Sequence, residues 1–255
     1  MKISLIGSGW LAKPLALQFQ ADGHEIILTS TQQDKIAALN AVGLKALQYE
    51  LGDQLSNPSQ LFDTDVLIIA ITSKDTEAFD VLMDQLSEQP CQHIIYISST
   101  SVYQNNKQTH DENSQQLNQD NPIWQIEQLI QSHSSATVIR FAGLVGPGRH
   151  PGRFFANGKK LFNASAPVNL IHLDDCIGII KAVIETQSWN QVFNGCADTH
   201  PSKLTFYQQA AKQYGAADPI TEDSQTSSYK IIDNTKLKTI LGYQLIQPDV
   251  LNMRF

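Results

Sequence analysis

The first residues with a recognisable chemistry are glycines. Ile6-Gly7-Ser8-Gly9-Trp10-Leu11-Ala12 carries the G-x-G-x-x-A spacing, straight after a short apolar run and at the opening of a helical pattern. In that context Gly7 permits a tight turn, Gly9 lets the backbone approach a pyrophosphate, and Ala12 keeps the helix close to the sheet. The helix N-terminus then faces the phosphate charge. Gly7, Ser8, Gly9, Trp10, Leu11 and Ala12 are therefore expected to contact a dinucleotide. Pro14 falls at the edge of the helix's first turn, where few backbone donors are yet used. The next apolar run ends Leu28-Thr29-Ser30-Thr31-Gln32-Gln33, with no carboxylate before Asp34. An acid there would hold the ribose 2′-hydroxyl of NAD, whereas the hydroxyls of Ser30 and Thr31, with Lys35 nearby, suit a 2′-phosphate. NADP is favoured, and NAD stays the alternative because no arginine stands at that place.

A second group is basic. Gly146-Pro147-Gly148-Arg149-His150-Pro151-Gly152-Arg153 is turn-rich and positively charged within an acidic chain. Arg149, His150 and Arg153 are candidate substrate contacts, since a guanidinium can fork two donors onto the oxygens of a phosphate or carboxylate. A solvated basic turn is the alternative. His172 with Asp174-Asp175 has the residue types of a catalytic triad, but the aspartates open a helical pattern, where Asp174 reads as a cap. His172 alternates with Ile171 and Leu173 and is expected to face away from them, towards a cleft. Asp111-Glu112 could supply a carboxylate acid or base, or simply form a solvated loop. Cys91, Cys176 and Cys196 lie far apart with no C-x-x-C, which implies reduced thiols and neither a disulfide framework nor a metal site.

Short apolar runs alternate with helical patterns through the first half, and these elements must position the groups above. Strands are predicted at Lys2–Ile6, Glu25–Leu28, Ala46–Leu51, Val66–Ile71, His93–Ile97 and Ala136–Phe141, with helices at Leu11–Ala21, Lys35–Val42, Asp75–Leu86 and Pro122–Ser132. Val66–Ile71 is apolar on both faces, as a strand inside a covered parallel sheet should be. This alternation predicts βαβ units and an α/β fold of the Rossmann type, a doubly wound parallel sheet. Beyond Gly143 the texture changes: strand-like pieces at Val168–Leu173 and Val192–Asn194, helices at Asp174–Glu185 and Lys203–Tyr214, a polar stretch at Thr221–Ser228 and a short helix at Asn234–Leu241. The Gln- and Asn-rich segment Gln104–Asn121 reads as a solvated loop.

Composition narrows the function classes. The chain has 255 residues, 42% of them hydrophobic and 17% charged, enough for a buried core. Eighteen Lys and Arg stand against twenty-five Asp and Glu, a net charge of −7, which offers no general attraction to nucleic acid or an anionic membrane surface. No run approaches the ~18 apolar residues of a membrane span, and Gly7-Ser8-Gly9 interrupts anything resembling a signal peptide. A cytoplasmic protein acting on a small molecule is expected, and a homodimer is compatible with the fold class.

Five motifs in chain order carry a resemblance. The glycine loop, Ser98-Ser99-Thr100-Ser101-Val102-Tyr103, the segment from Arg140-Phe141-Ala142-Gly143 to Arg149, Val168-Asn169-Leu170-Ile171-His172-Leu173-Asp174-Asp175 and Phe193-Asn194-Gly195 are similar to those of extended short-chain dehydrogenases/reductases. That is the NAD(P)-dependent nucleotide-sugar epimerase/dehydratase group, here in its compact, atypical form. The resemblance implies a Rossmann domain over 1–145, rejoined by 168–195, and a small C-terminal substrate lobe from 146–167 and 196–255. The active site would lie at the carboxyl ends of the strands, with Ala70, Ile71, Thr72 and Ser98 as further cofactor contacts. Ser99 takes the place of the family's Ser or Thr that hydrogen-bonds the reacting carbonyl.

Family members also use a Tyr four residues before a Lys, the ammonium lowering the phenol's pKa from about 10 towards the working pH. That pair is missing. Anchoring on Glu127-Gln128-Leu129 puts Gln119 at the Tyr position and Ile123 at the Lys position, and neighbouring registers give Trp124 with Gln128 or Gln125 with Leu129. Tyr103 and Lys107 have the spacing, but seven Tyr and fourteen Lys give about 0.4 such pairs by chance; Tyr103 is kept as a candidate displaced acid/base. Two functions follow. One is an NAD(P)-dependent oxidoreductase or epimerase acting on a small, polar, anionic substrate such as a nucleotide sugar. The other is a non-catalytic NADP-binding sensor or scaffold.

Overall fold

The computed structural model describes residues 1–156, 158–222 and 228–255, so most of the polar stretch at 221–228 lies outside the described residues. Along the chain run β1 (Lys2–Ile6), α1 (Ala12–Ala21), β2 (Glu25–Ser30), α2 (Gln33–Ala41), β3 (Lys45–Gln48), α3 (Ser59–Phe62), β4 (Val66–Ile69), α4 (Thr76–Ser87) and β5 (His93–Ser99). After a 3₁₀ turn at Thr100–Val102 come β6 (Thr109–His110), α5 (Pro122–Gln131), β7 (Ala136–Phe141) and β8 (Gly143–Val145). A second 3₁₀ turn, Pro151–Arg153, precedes β9 (Lys160–Leu161), β10 (Leu170–His172), α6 (Leu173–Glu185) and β11 (Val192–Gly195). The chain continues through α7 (Lys203–Tyr214), β12 (Ile220–Thr221), β13 (Ile231–Ile232) and α8 (Thr235–Ile240).

Seven strands form one sheet in the order β11-β7-β5-β4-β1-β2-β3. The pairs about β1 are parallel, with Ile6 opposite Ile69 of β4 and Leu5 opposite Leu28 of β2. This is the doubly wound sheet that the alternating pattern predicts. The order reverses at β1, so the crevice where such sheets bind ligands opens at the carboxyl ends of β1 and β4.

The chain divides into two compact units, the first comprising residues 1–99, 119–139 and 187–192. Its core joins the apolar strands to the inward faces of the helices: Ile6, Leu67, Ile69, Ile94 and Tyr96 pack with Phe62, Phe79, Leu82, Ile126 and Ile130. All four residues of β4 are buried, the condition for an apolar run covered on both faces. Asp75 starts α4 by accepting from Ala78 N at 3.0 Å, and Asn121 starts α5 in the same way, with Pro122 pre-set at the first helical position.

The second unit comprises residues 100–118, 140–186 and 193–255. It contains three short parallel ribbons, β8 with β10, β9 with β12, and β6 with β13. Val145, Val168, Leu170, Phe206, Val250 and Met253 form a core cluster here. Ser202 caps α7 by accepting from Thr205 N, and Gly215 ends it in the left-handed conformation, φ 75°. Among the described residues no helix is long and apolar enough to cross a membrane.

Candidate functional site

The glycine turn belongs to the first unit. Gly7 has φ +112°, and a Cβ there would lie 2.8 Å from the carbonyl oxygen of Ala70 and 2.9 Å from Ile71 Cγ2. Only glycine fits both the dihedral and the gap, and the turn is thereby pressed against Ala70 and Ile71 just beyond β4. Gly7 N donates to the buried Thr29 Oγ1 at 2.9 Å, tying the turn to β2. Gly9 differs: it is outside the left-handed region, and a Cβ on it would meet no atom within 4 Å. The first helical bonds, from Lys13 N to Gly9 O and from Leu15 N to Leu11 O, start α1 without a side-chain cap and without an acid in its first turn. Ser8, Leu11 and Ala12 are buried and Trp10 is half-buried. A bare helix N-terminus behind an unobstructed glycine suits an anionic pyrophosphate, so these residues fit a dinucleotide.

At the end of β2, Ser30 is buried and its hydroxyl accepts from Gln32 N at 3.2 Å, while Thr31 is exposed. Past β4, Ala70 and Ile71 are half-buried and Thr72 is exposed. At the end of β5, Ser98 donates to Glu127 Oε1 at 2.5 Å, and Glu127 is fully buried on the inner face of α5. Ser99, next along, is half-buried. Burial and the charge of Glu127 both push the phenol of Tyr96 upwards. Gln119 is exposed ahead of α5, and Ile123 is half-buried in its first turn. The structure thus keeps β5 and α5 joined through Ser98 and Glu127. In the register anchored on Glu127-Gln128-Leu129, the helix position at which the resemblance expects a lysine is Ile123.

In the second unit Tyr103 is buried within a polar network. Its hydroxyl donates to Asn194 Oδ1 and accepts from Arg140 Nη1, both at 2.8 Å, and its ring stacks on His110 with centroids 5.2 Å apart. Burial, the largest influence, raises the Tyr103 pKa against the lowering effect of Arg140. Lys107 has φ 65° and donates its backbone N–H to Tyr229 O. Glu112 is half-buried, accepts from Asn194 N at 2.7 Å, and has its pKa raised by burial. Lys230 donates to Tyr103 O at 2.7 Å, and desolvation lowers its pKa to about 8. Asp111 is exposed and lines an open polar pocket of about 480 Å³ with Thr109, Ser114, Asp233 and Thr235.

Two expectations need correction here. His172 does not face a cleft: it is 2% exposed, and Nε2 donates to the carbonyl of Arg254 at 2.8 Å. It is also the N-cap of α6, Nδ1 accepting from Asp174 N at 3.2 Å, so Asp174 is a first-turn acid rather than the cap. An imidazole acceptor fills the role that the sequence pattern gives to a carboxylate. Asp175 is fully buried and accepts from Ile246 N, Gln247 N and Tyr243 Oη, a structural tie within the unit.

Arg149 is exposed just ahead of the turn at Pro151–Arg153, and Arg153 is exposed as its last residue. His150 between them is half-buried and caps that turn, Nδ1 accepting from Gly152 N at 3.0 Å. The residues that sequence reasoning left without a role are Glu127, Arg140 and Asn194. Each stands inside a motif already quoted, and only the third dimension shows that all three are buried polar partners.

The family model for NADP oxidoreductase coenzyme F420-dependent proteins matches residues 2–101. Protein YeeZ of Escherichia coli K12 is 33% identical over 99% of this chain and 98% of its own. The structure of UDP-glucuronic acid 4-epimerase from Bacillus cereus, in complex with UDP-glucuronic acid and NAD, superposes with a TM-score of 0.80 at 16% identity, over 99% of this chain and 96% of that one. UDP-glucose 4-epimerase from Thermotoga maritima, with UDP-glucose, gives 0.77 at 14% identity, over 96% and 94%. The fold is that of the nucleotide-sugar epimerase/dehydratase-like proteins.

Proposed function

The chain belongs to the family of the Escherichia coli protein YeeZ, and we propose that it is an NAD(P)-dependent oxidoreductase or epimerase acting on a small, anionic, nucleotide-sugar-like substrate. The observation that carries the dinucleotide part of this reading is the glycine turn, where the fold requires glycine at position 7 and Gly9 stands unobstructed before the uncapped α1. The backbone of residues 7–12 would hold the pyrophosphate, and Ala70, Ile71, Thr72 and Ser98 would line the same dinucleotide. Ser30 and Thr31, with no carboxylate before Asp34, support NADP over NAD. When bound, the cofactor supplies a hydride donor or acceptor at its nicotinamide C4. Ser99 hydrogen-bonds and orients the substrate oxygen, held by the Ser98–Glu127 bond one residue back. Arg149 and Arg153, with His150 between them, take the substrate's anionic group.

One observation favours the second reading, a dinucleotide-binding sensor or scaffold. Anchored on Glu127-Gln128-Leu129, Gln119 and Ile123 take the positions where extended short-chain dehydrogenases/reductases carry Tyr and Lys, and neither can carry a proton to a substrate oxygen at neutral pH. The anion loop tips the balance towards the enzyme, because a sensor has no need of substrate-side arginines.

Titration of the purified protein with NADPH and NADH, followed by nicotinamide fluorescence, tests the common premise. Tight NADPH and weak NADH binding is expected; no binding of either removes both readings. Ser99→Ala then separates them: loss of turnover at unchanged cofactor affinity is expected of the enzyme, and unchanged turnover takes Ser99 out of the mechanism.

A further inference from the structure

The anion loop is held from behind by a segment the sequence does not connect with it. Within the second unit, Val250 and Met253 are each 1% exposed and anchor residues 250–255 in the core cluster beside Val145 and Phe206. Two polar ties fix the same segment: Gln209 Nε2 donates to Leu251 O, and His172 Nε2 donates to Arg254 O at 2.8 Å. The segment delivers Phe255 to His150, ring centroids 4.9 Å apart and planes inclined by 56°, while Tyr214 of α7 reaches the same imidazole at 5.0 Å. His150 is committed to the loop's own backbone through the bond from Gly152 N. Gly152 is seated so tightly on α7 that a Cβ would lie 2.3 Å from Ala210 O.

We propose that Phe255 and Tyr214 clasp the ring of His150 and so act as positioning residues, immobilising the turn from which Arg149 and Arg153 present their guanidinium groups. This rests on the reading of those arginines as the substrate's anion contacts, and it makes His150 the keystone of the loop. The physical gain is preorganisation: a fork of charges on a fixed turn loses less conformational entropy on meeting an anion than the same charges on a free loop. The clasp also gives the segment 250–255 control over the site, since withdrawing Phe255 frees His150 on one side.

Trypsin cleaves after arginine, so the Arg149–His150 and Arg153–Phe154 bonds report directly whether the turn is immobile. Phe255→Ala is expected to raise cleavage there at least tenfold, with cuts mapped by mass spectrometry confined to 149–160. His150→Asn keeps a capping acceptor for Gly152 N but deletes the ring, losing the Tyr214 contact as well as that of Phe255, and is expected to raise cleavage at least as much. The double variant should be cut no faster than His150→Asn alone, because with the ring gone Phe255 has nothing left to clasp. Unchanged cleavage in either single variant, additive effects in the double, or cuts spread over the whole chain would overturn the proposal. Inorganic pyrophosphate binding by calorimetry, weakened severalfold in Phe255→Ala and restored in Phe255→Trp, links the clasp to anion capture. Pyrophosphate that fails to bind the unaltered protein, while the cleavage pattern holds, counts against the anion reading and leaves the clasp standing.

Discussion

Gly9→Ala separates a dinucleotide cradle from a mere tight turn. A Cβ at Gly9 meets nothing within 4 Å and the backbone there lies outside the left-handed region, so the fold has no objection to alanine. At such a position the substitution stabilises by about 0.4–1 kcal/mol through the unfolded chain, worth roughly 1–4 °C of Tm in a chain of this size. The same methyl group projects where a pyrophosphate must approach the backbone. Forcing one extra methylene-sized group into a close contact costs about 1–3 kcal/mol, and each ~1.4 kcal/mol is tenfold in affinity. NADPH affinity should therefore fall by about 5- to 150-fold while Tm stays level or rises. Thermal unfolding by circular dichroism and a fluorescence titration on the same sample read the two effects apart. An unchanged NADPH Kd in a folded Gly9→Ala protein would refute the cradle.

The companion variant Gly7→Ala should fail in the opposite manner. Its Cβ would meet Ala70 O at 2.8 Å in a left-handed backbone, so a loss of roughly 2 kcal/mol or more is expected and a Tm within 2 °C of the unaltered protein would count against it. Asp175→Ala leaves Ile246 N, Gln247 N and Tyr243 Oη without their acceptor and should cost about 3 kcal/mol in urea unfolding, with Asn recovering part of it. His93 stacks on Trp189 at 3.9 Å, and its pKa is lowered, chiefly by burial and then by His133. The unfolded chain therefore takes up the proton first, and this contribution to stability is lost as pH falls from about 6.5 down through the lowered folded value. Trp189 emission should change at lower pH, where folded His93 itself takes up the proton, and His93→Gln should flatten the stability slope; an unaltered slope would exclude His93 as its source.

Much of the first unit is legible in the sequence because its signals are long and mutually consistent. Val66–Ile69 is too apolar for anything but a covered strand, Asp75 and Asn121 mark their helix starts by type, and the glycine spacing sits between a strand and a helix. The second unit is harder for a physical reason. Ribbons of two residues, such as Thr109–His110 with Ile231–Ile232, span a single period of the strand pattern, too little for any alternation to show, so tertiary contacts create them. His172 shows another limit, since alternation says which residues share a face but not whether the opposite face is open. Here that face is closed by the backbone of Arg254, eighty-two residues away in the chain. The same holds for Glu127, whose partner Ser98 lies twenty-nine residues upstream.

The missing dyad acquires a sharper meaning from this geometry. Had α5 drifted as a whole, the register between helix and sheet would have been lost, and Ser98 would have no buried partner. Instead the inner face of α5, with Ile126, Glu127 and Ile130, stays packed against the sheet that carries Ser98. In the register anchored on Glu127-Gln128-Leu129, Ile123 occupies the first turn of the helix and Gln119 precedes it. Holding β5 in register costs α5 nothing in acid/base chemistry, and a helix kept only for that purpose is free to lose its Tyr and Lys. Ser99 and the glycine turn can therefore persist under either reading. On the proposed reading the basic loop is the substrate-side feature, and so the arginines of that loop, more than the glycines, divide an enzyme from a sensor.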